Sequence, residues 1–168
     1  FFIILFSFIT NISYSNNIKE FTIEDISIGD SILDFFSKKE ILNNKMDYYK
    51  KDDFITIGFN NHSFLKQYEW LQITYKKNDK KYLVESLDGI LSFRNDYRGC
   101  LKKKASIVQE IKKMTGVEPD ELEGKHGADP EGNSKFSNSE FDIDNDFIVI
   151  SCIDWSKKME EKYFDHLK

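Results

Sequence analysis

The sequence predicts an α+β protein: an antiparallel sheet of about five strands, one long helix packed on it, and a short N-terminal helical pair. Three observations predict this class. Runs rich in β-branched and aromatic residues lie on either side of one strongly helical stretch, whereas a parallel sheet would alternate strands and helices one by one. The chain has 168 residues, 40% of them hydrophobic and 15% aromatic, enough to build one core. Cys100 and Cys152 fall on the buried sides of the helix and of a late strand, which closes the packing with a disulfide.

The first segment reads as an address. Phe1 to Thr10 is nearly all apolar, residues 11–15 turn polar, and Ser13 and Ser15 place small residues where signal peptidase reads before Asn16. Residues 1–15 are therefore expected to be a signal peptide, shortened at its start because Phe1 is not a methionine. Residues 16–168 are expected to form a single α+β domain whose C-terminal end is open to continuation. Ten apolar residues are too few to span a bilayer, and no later run reaches the roughly 18 that a membrane helix needs. No cysteine near the cleavage point offers a thiol for lipid attachment.

Along the mature chain, Phe21, Ile23, Ile26 and Ile28 alternate as a short strand or extended entry that ends at Gly29. Asp30 or Ser31 can cap a helix with a stripe of Ile32, Leu33 and Phe36. Ser37 and Glu40 have the spacing of a capping box for a second short turn through Leu42. Residues 54–59, 68–75 and 82–93 then read as three antiparallel strands. Asn78-Asp79 makes the turn between the second and third, and Gly89 marks a bulge or bend.

Tyr97, Cys100, Leu101, Lys104, Ile107, Val108, Ile111 and Met114 recur at spacings of three and four, between a starting Asp96 and a stopping Gly116. Residues 117–140, with both prolines, read as a long loop or loose hairpin. Residues 141–143, a turn at Asp144-Asn145-Asp146, and residues 147–155 form a closing hairpin, followed by a charged segment at 157–166 that suits a short helix.

Composition excludes several functions. The net charge is -5, and Arg94 and Arg98 are the only arginines among 24 basic residues, so the arginine-rich, aromatic-interleaved face of a nucleic-acid binder is missing. The excess of Lys, Asn, Ile and Phe matches an AT-rich coding sequence. Asp142, Asp144 and Asp146 alternate as calcium ligands do. Phe147, however, stands where the turn glycine is required and Ile153 where the bidentate glutamate is required, so no metal is expected. His62, His126 and His166 are scattered, without zinc spacing. No cofactor signature is present.

Two groups of residues carry the chemistry that is left. Cys100 lies on the apolar stripe of the helix and Cys152 on the same strand face as Ile148 and Ile150, so in an oxidising compartment they pair and contribute about 4 kcal/mol. The loop from Gly124 brings Lys125, His126 and Asp129 together, a set able to hold an anion or act as a base, with Ser134 as a conceivable nucleophile. Tyr48, Tyr49, Phe54, Tyr68 and Trp70 crowd one third of the chain as core, or as a contact surface for a protein.

With its apolar start, Gly29-Asp30-Ser31 and Cys152-Ile-Asp-Trp155, the chain resembles small exported proteins of AT-rich bacteria. Its short helical pair before an antiparallel sheet is similar to outer-membrane assembly lipoproteins (BamE-like) and to β-lactamase-inhibitor-like domains. The resemblance implies a binding role and supplies no catalytic residue. The expectation is a periplasmic or secreted, non-enzymatic binding or accessory protein whose partner is an envelope protein, with no stable membrane insertion. The alternative is a small secreted hydrolase using residues 124–134.

Overall fold

The structure, a computed structural model, describes residues 18–46 and 53–164. The expected signal segment, Tyr48, Tyr49 and His166 lie outside the described residues. The class is α+β, as the sequence predicts, but the strands divide between two antiparallel meanders instead of forming one sheet. The first contains β1 (Lys45–Met46), β2 (Phe54–Asn60), β3 (Trp70–Lys76) and β4 (Ser86–Ile90) in sequential order. The second contains β5 (Asp120–Lys125), β6 (Lys135–Ile143) and β7 (Asp146–Asp154). No helix among the described residues is long and apolar enough to cross a membrane.

Alternation within β2 and β3 builds the first core. Ile57, Phe59, Leu71, Ile73 and Tyr75 point inward, and Ile26, Ile32, Phe36, Ile41 and Val84 cover them. Phe36 stacks on Phe59 with ring centroids 4.1 Å apart. The predicted helical pair is a 3-10 turn at Ile32–Asp34, capped by Ser31, and α1 (Lys38–Asn43), started by the Ser37 and Glu40 capping box. Leu33 is exposed, because only Ile32 and Phe36 face the sheet.

The extended entry predicted before Gly29 is a tight turn. Glu24 and Asp25 both take positive φ so that Ile23 and Ile26 bridge each other. Gly29, at φ +87°, then lets the chain pair with the connection between β3 and β4. Gly29 N–H donates to the Val84 carbonyl, Val84 N–H to that of Asp30, and Ile32 N–H to that of Tyr82. This pairing takes residues 82–84 away from the predicted third strand, which shortens to β4. Gly89 is not a bulge: it pairs in register with Leu71, and the Tyr68 ring occupies the space a Cβ would need.

α2 (Tyr97–Thr115) begins at Asp96, which accepts from Gly99 N–H, and stops at left-handed Gly116. It packs on the three-stranded sheet, chiefly against β7, through Val108, Ile111, Phe141 and Ile143. Met114, counted in the apolar stripe, is exposed. β5 is entirely exposed along its length, so no hydrophobic pattern announces it; its partner β6 defines it. α3 (Lys157–Phe164) follows β7.

Candidate functional site

Cys100 on α2 and Cys152 on β7 lie at disulfide distance, with Cα atoms 5.9 Å apart. One helical turn on, Lys104 is buried against the same sheet. Its ammonium donates to Glu121 Oε2 at 3.1 Å and to Ser137 Oγ at 2.9 Å, and Ser137 is the register partner of Cys152. Ser139 donates to the other Glu121 oxygen, and these bonds hold the Glu121 carboxyl below its usual range. The helix–sheet interface is thus apolar at the Val108 end and ionic at the disulfide end.

The β5–β6 turn assembles the predicted loop residues differently from the way a catalytic reading needs. Asp129 is buried, and its Oδ2 accepts the Ser134 hydroxyl at 2.7 Å and the Ser134 N–H at 2.8 Å, while Oδ1 accepts Glu131 N–H. The Ser134 hydroxyl bond comes first among the causes that hold the Asp129 carboxyl far below the carboxylate range. Ser134 has no exposed surface, and its Oγ also accepts Ser156 N–H, which ties the turn to the start of α3.

His126 faces elsewhere. Its Nδ1 accepts Ala128 N–H and its ring lies 4.4 Å from that of Trp155, while the Lys125 stem runs beside Gly132. Asp129 and Ser134 therefore form a turn lock, with the hydroxyl pointing into the carboxylate instead of toward a substrate or an imidazole. Beside His126, a cleft of about 200 Å³ is lined by Gly127, Phe136, Asn138 and Ser151.

The outer face of the four-stranded sheet carries a larger open concavity of about 580 Å³. Strand alternation puts Phe54 and Thr56 of β2, Gln72 and Thr74 of β3, and Ser86 and Asp88 of β4 on it, in registered rows Thr56–Thr74–Ser86 and Gly58–Gln72–Asp88. Thr56 and Thr74 share a hydroxyl hydrogen bond of 2.8 Å. Glu85, at the rim, pairs with Lys76 at 2.8 Å.

Asp88 makes no hydrogen bond or ion pair among the described residues. Asp88 is exposed at the surface, and partial desolvation of its carboxyl raises its pKa above the usual aspartate value. One row along, Trp70 lies over Gly58, and its buried indole N–H has no hydrogen-bond partner among the described residues. Of the aromatic crowd in the sequence, Phe54 is an exposed wall of the concavity, while Tyr68, against Gly89, and Trp70 are half-buried.

Sequence reading did not single out Asp88, Gln72 or the two threonines. The signal was the polar half of each alternation, Thr56, Gln72, Thr74, Ser86 and Asp88, which converges only once the register is known. No group of three or more His, Cys, Asp or Glu side chains among the described residues could hold a metal ion. Comparison of the chain with protein-family models, with curated proteins and with solved structures finds no match.

Proposed function

We propose that the chain is an exported, non-enzymatic binding or accessory protein of the periplasm or cell exterior. On this reading residues 1–15 act as the signal peptide, residues 16–168 form a single folded unit, and an envelope protein is the partner. The carrying observation is the concave outer face of β2–β4, which has an aromatic wall, three hydroxyls, an amide and a carboxylate, Asp88, that makes no ion pair among the described residues. A second observation supports export: a cysteine pair at bonding distance persists in oxidising compartments. The hydrolase alternative loses support because Ser134 is buried and bonded to Asp129.

The test is affinity capture from solubilised envelope with the oxidised protein, in parallel with a Ser86→Trp variant that fills the concavity from the edge strand. A captured partner lost with Ser86→Trp, while the melting temperature stays near wild type, is the expected result. Equal capture by both proteins overturns the assignment of this face. Residues 1–20 fused to a reporter that folds only when oxidised should direct it out of the cytoplasm; a reporter left inactive there removes the export claim.

A further inference from the structure

We propose that the free edge of β7 is a self-association surface, on which β7 of a second copy of this chain pairs antiparallel and joins the two three-stranded sheets into one. The order β5-β6-β7 leaves both outer strands with one side unpaired among the described residues, and the two edges are built differently. β5 carries a charge at four of its six positions, Asp120, Glu121, Glu123 and Lys125, which is how an edge is kept from adding strands. β7 runs for nine residues in unbroken register with β6, and from Phe147 to Ile153 it has no charged residue, proline or glycine. Every second backbone N–H and C=O along it points away from β6. Ile148 and Ile150 pack toward α2 yet stay half-buried, as they would beside an open edge, whereas their register partners Phe141 and Ser139 on β6 are buried.

The outer face continues the seam. Alternation puts Phe147, Val149, Ser151 and Ile153 on the side away from α2, where Phe147 is 70% exposed and Val149 39%. With Ser151 on a two-fold axis, Val149 lies opposite Ile153 of the second copy and Phe147 opposite Trp155. Both exposed side chains then gain apolar cross-strand partners, once in each copy.

Charge selects the occupant. The β6–β7 turn end of this sheet carries the exposed Asp142, Asp144 and Asp146, and the opposite end carries the exposed Lys125, Lys135 and Lys157. An antiparallel two-fold mate sets each acidic end beside the basic end of the other copy, with Asp146 next to Lys157, whereas a parallel mate sets like ends together. An unrelated strand meets only the apolar edge; a second copy meets the edge and both ends at once.

The test is sedimentation equilibrium of the oxidised protein over a dilution series, with amide hydrogen exchange on the same samples. Wild type should approach twice the chain mass, and alternate amides from Phe147 to Ile153 should gain protection as it does. Val149→Lys places a charge on the β7 edge and should hold the protein at the chain mass, while Leu122→Lys, an exposed apolar position on β5 of the same sheet, should dimerise as wild type does. Asp146→Lys should weaken the dimer and Lys157→Glu added to it should restore it, a rescue that loss of folding does not mimic. Wild type at the chain mass throughout overturns the proposal, and protected β7 amides in such a monomer assign the edge to another occupant. A dimer that survives Val149→Lys, that is lost equally in Leu122→Lys, or that the charge exchange fails to restore overturns antiparallel pairing at β7.

Discussion

Glu24 joins two segments that are more than forty residues apart in the chain. It sits at φ 52° in the turn before Gly29, buried, and its carboxylate accepts the N–H groups of Lys66, Gln67 and Tyr68 at 2.6–2.9 Å. Burial opposes the charge, but the three backbone donors together outweigh it, and the carboxyl titrates below its ordinary value. Glu24→Ala leaves those donors without an acceptor and should cost about 1–3 kcal/mol in urea unfolding. The sign of the pH effect follows from the direction of the shift. With the folded pKa below the unfolded one, the contribution is complete above the unfolded value and is lost as pH falls through the folded value. Asp129 and Glu121 shift the same way, so the urea midpoint should fall on acidification, and less steeply in Glu24→Ala. A midpoint independent of pH between neutrality and pH 3 would contradict these assignments.

At the scale of elements, the short N-terminal helices and the first sheet depend on local chemistry of different kinds. Ser37 caps α1 and Glu40 returns to the Ser37 N–H, so Ser37→Ala should cost about 1 kcal/mol, read as a lower melting temperature with an unchanged fold. Gly58 is bare for a packing reason. A Cβ there would lie 2.6 Å from Met46 Sδ and 2.9 Å from Trp70 Nε1, so Gly58→Ala must displace one of them. The expected cost is about 1–3 kcal/mol, with a shift in tryptophan fluorescence as the indole moves. An unchanged spectrum would show that Trp70 does not rest on this position. The capping signals, Ser37 with Glu40 on α1 and Asp96 and Gly116 at the two ends of α2, were readable because each cap bonds to a group within four residues of itself. β5 was not readable, because its side chains are exposed and its strand pairing is with β6, a partner that the local pattern does not reveal.

For the whole molecule, the disulfide constrains the loop between α2 and the last strand. Cys100 and Cys152 are 52 residues apart, and opening a loop of this size should cost about 4 kcal/mol in the chain-entropy treatment. Cys100→Ala with Cys152→Ala should lower the guanidinium midpoint accordingly, and intact mass without reductant should fall two hydrogens short of the dithiol. A full-mass protein with two alkylatable thiols would refute the bridge. Loss of the bridge should act on the half containing α2 and β5–β7. The core under β2 and β3 is a separate apolar cluster, so its amides should keep their hydrogen-exchange protection better.

The sequence by itself determined the class, the position and ends of the long helix, the capping box, the closing hairpin and the side on which each cysteine lies. Each of these depends on residues within a few positions of one another, where helical and strand periodicity speak directly. Only the tertiary structure decided that the strands split into two meanders. That split depends on the stretch from Gly29 to Ile32 pairing with residues 82–84, a contact between distant segments that leaves no local pattern. The same holds for function. Lys125, His126, Asp129 and Ser134 were conspicuous as neighbours in a glycine-rich loop, yet folding turned Asp129 and Ser134 into a lock. Asp88 was one carboxylate among many until strand register set it beside Gln72 on the concave face, where it makes no ion pair among the described residues.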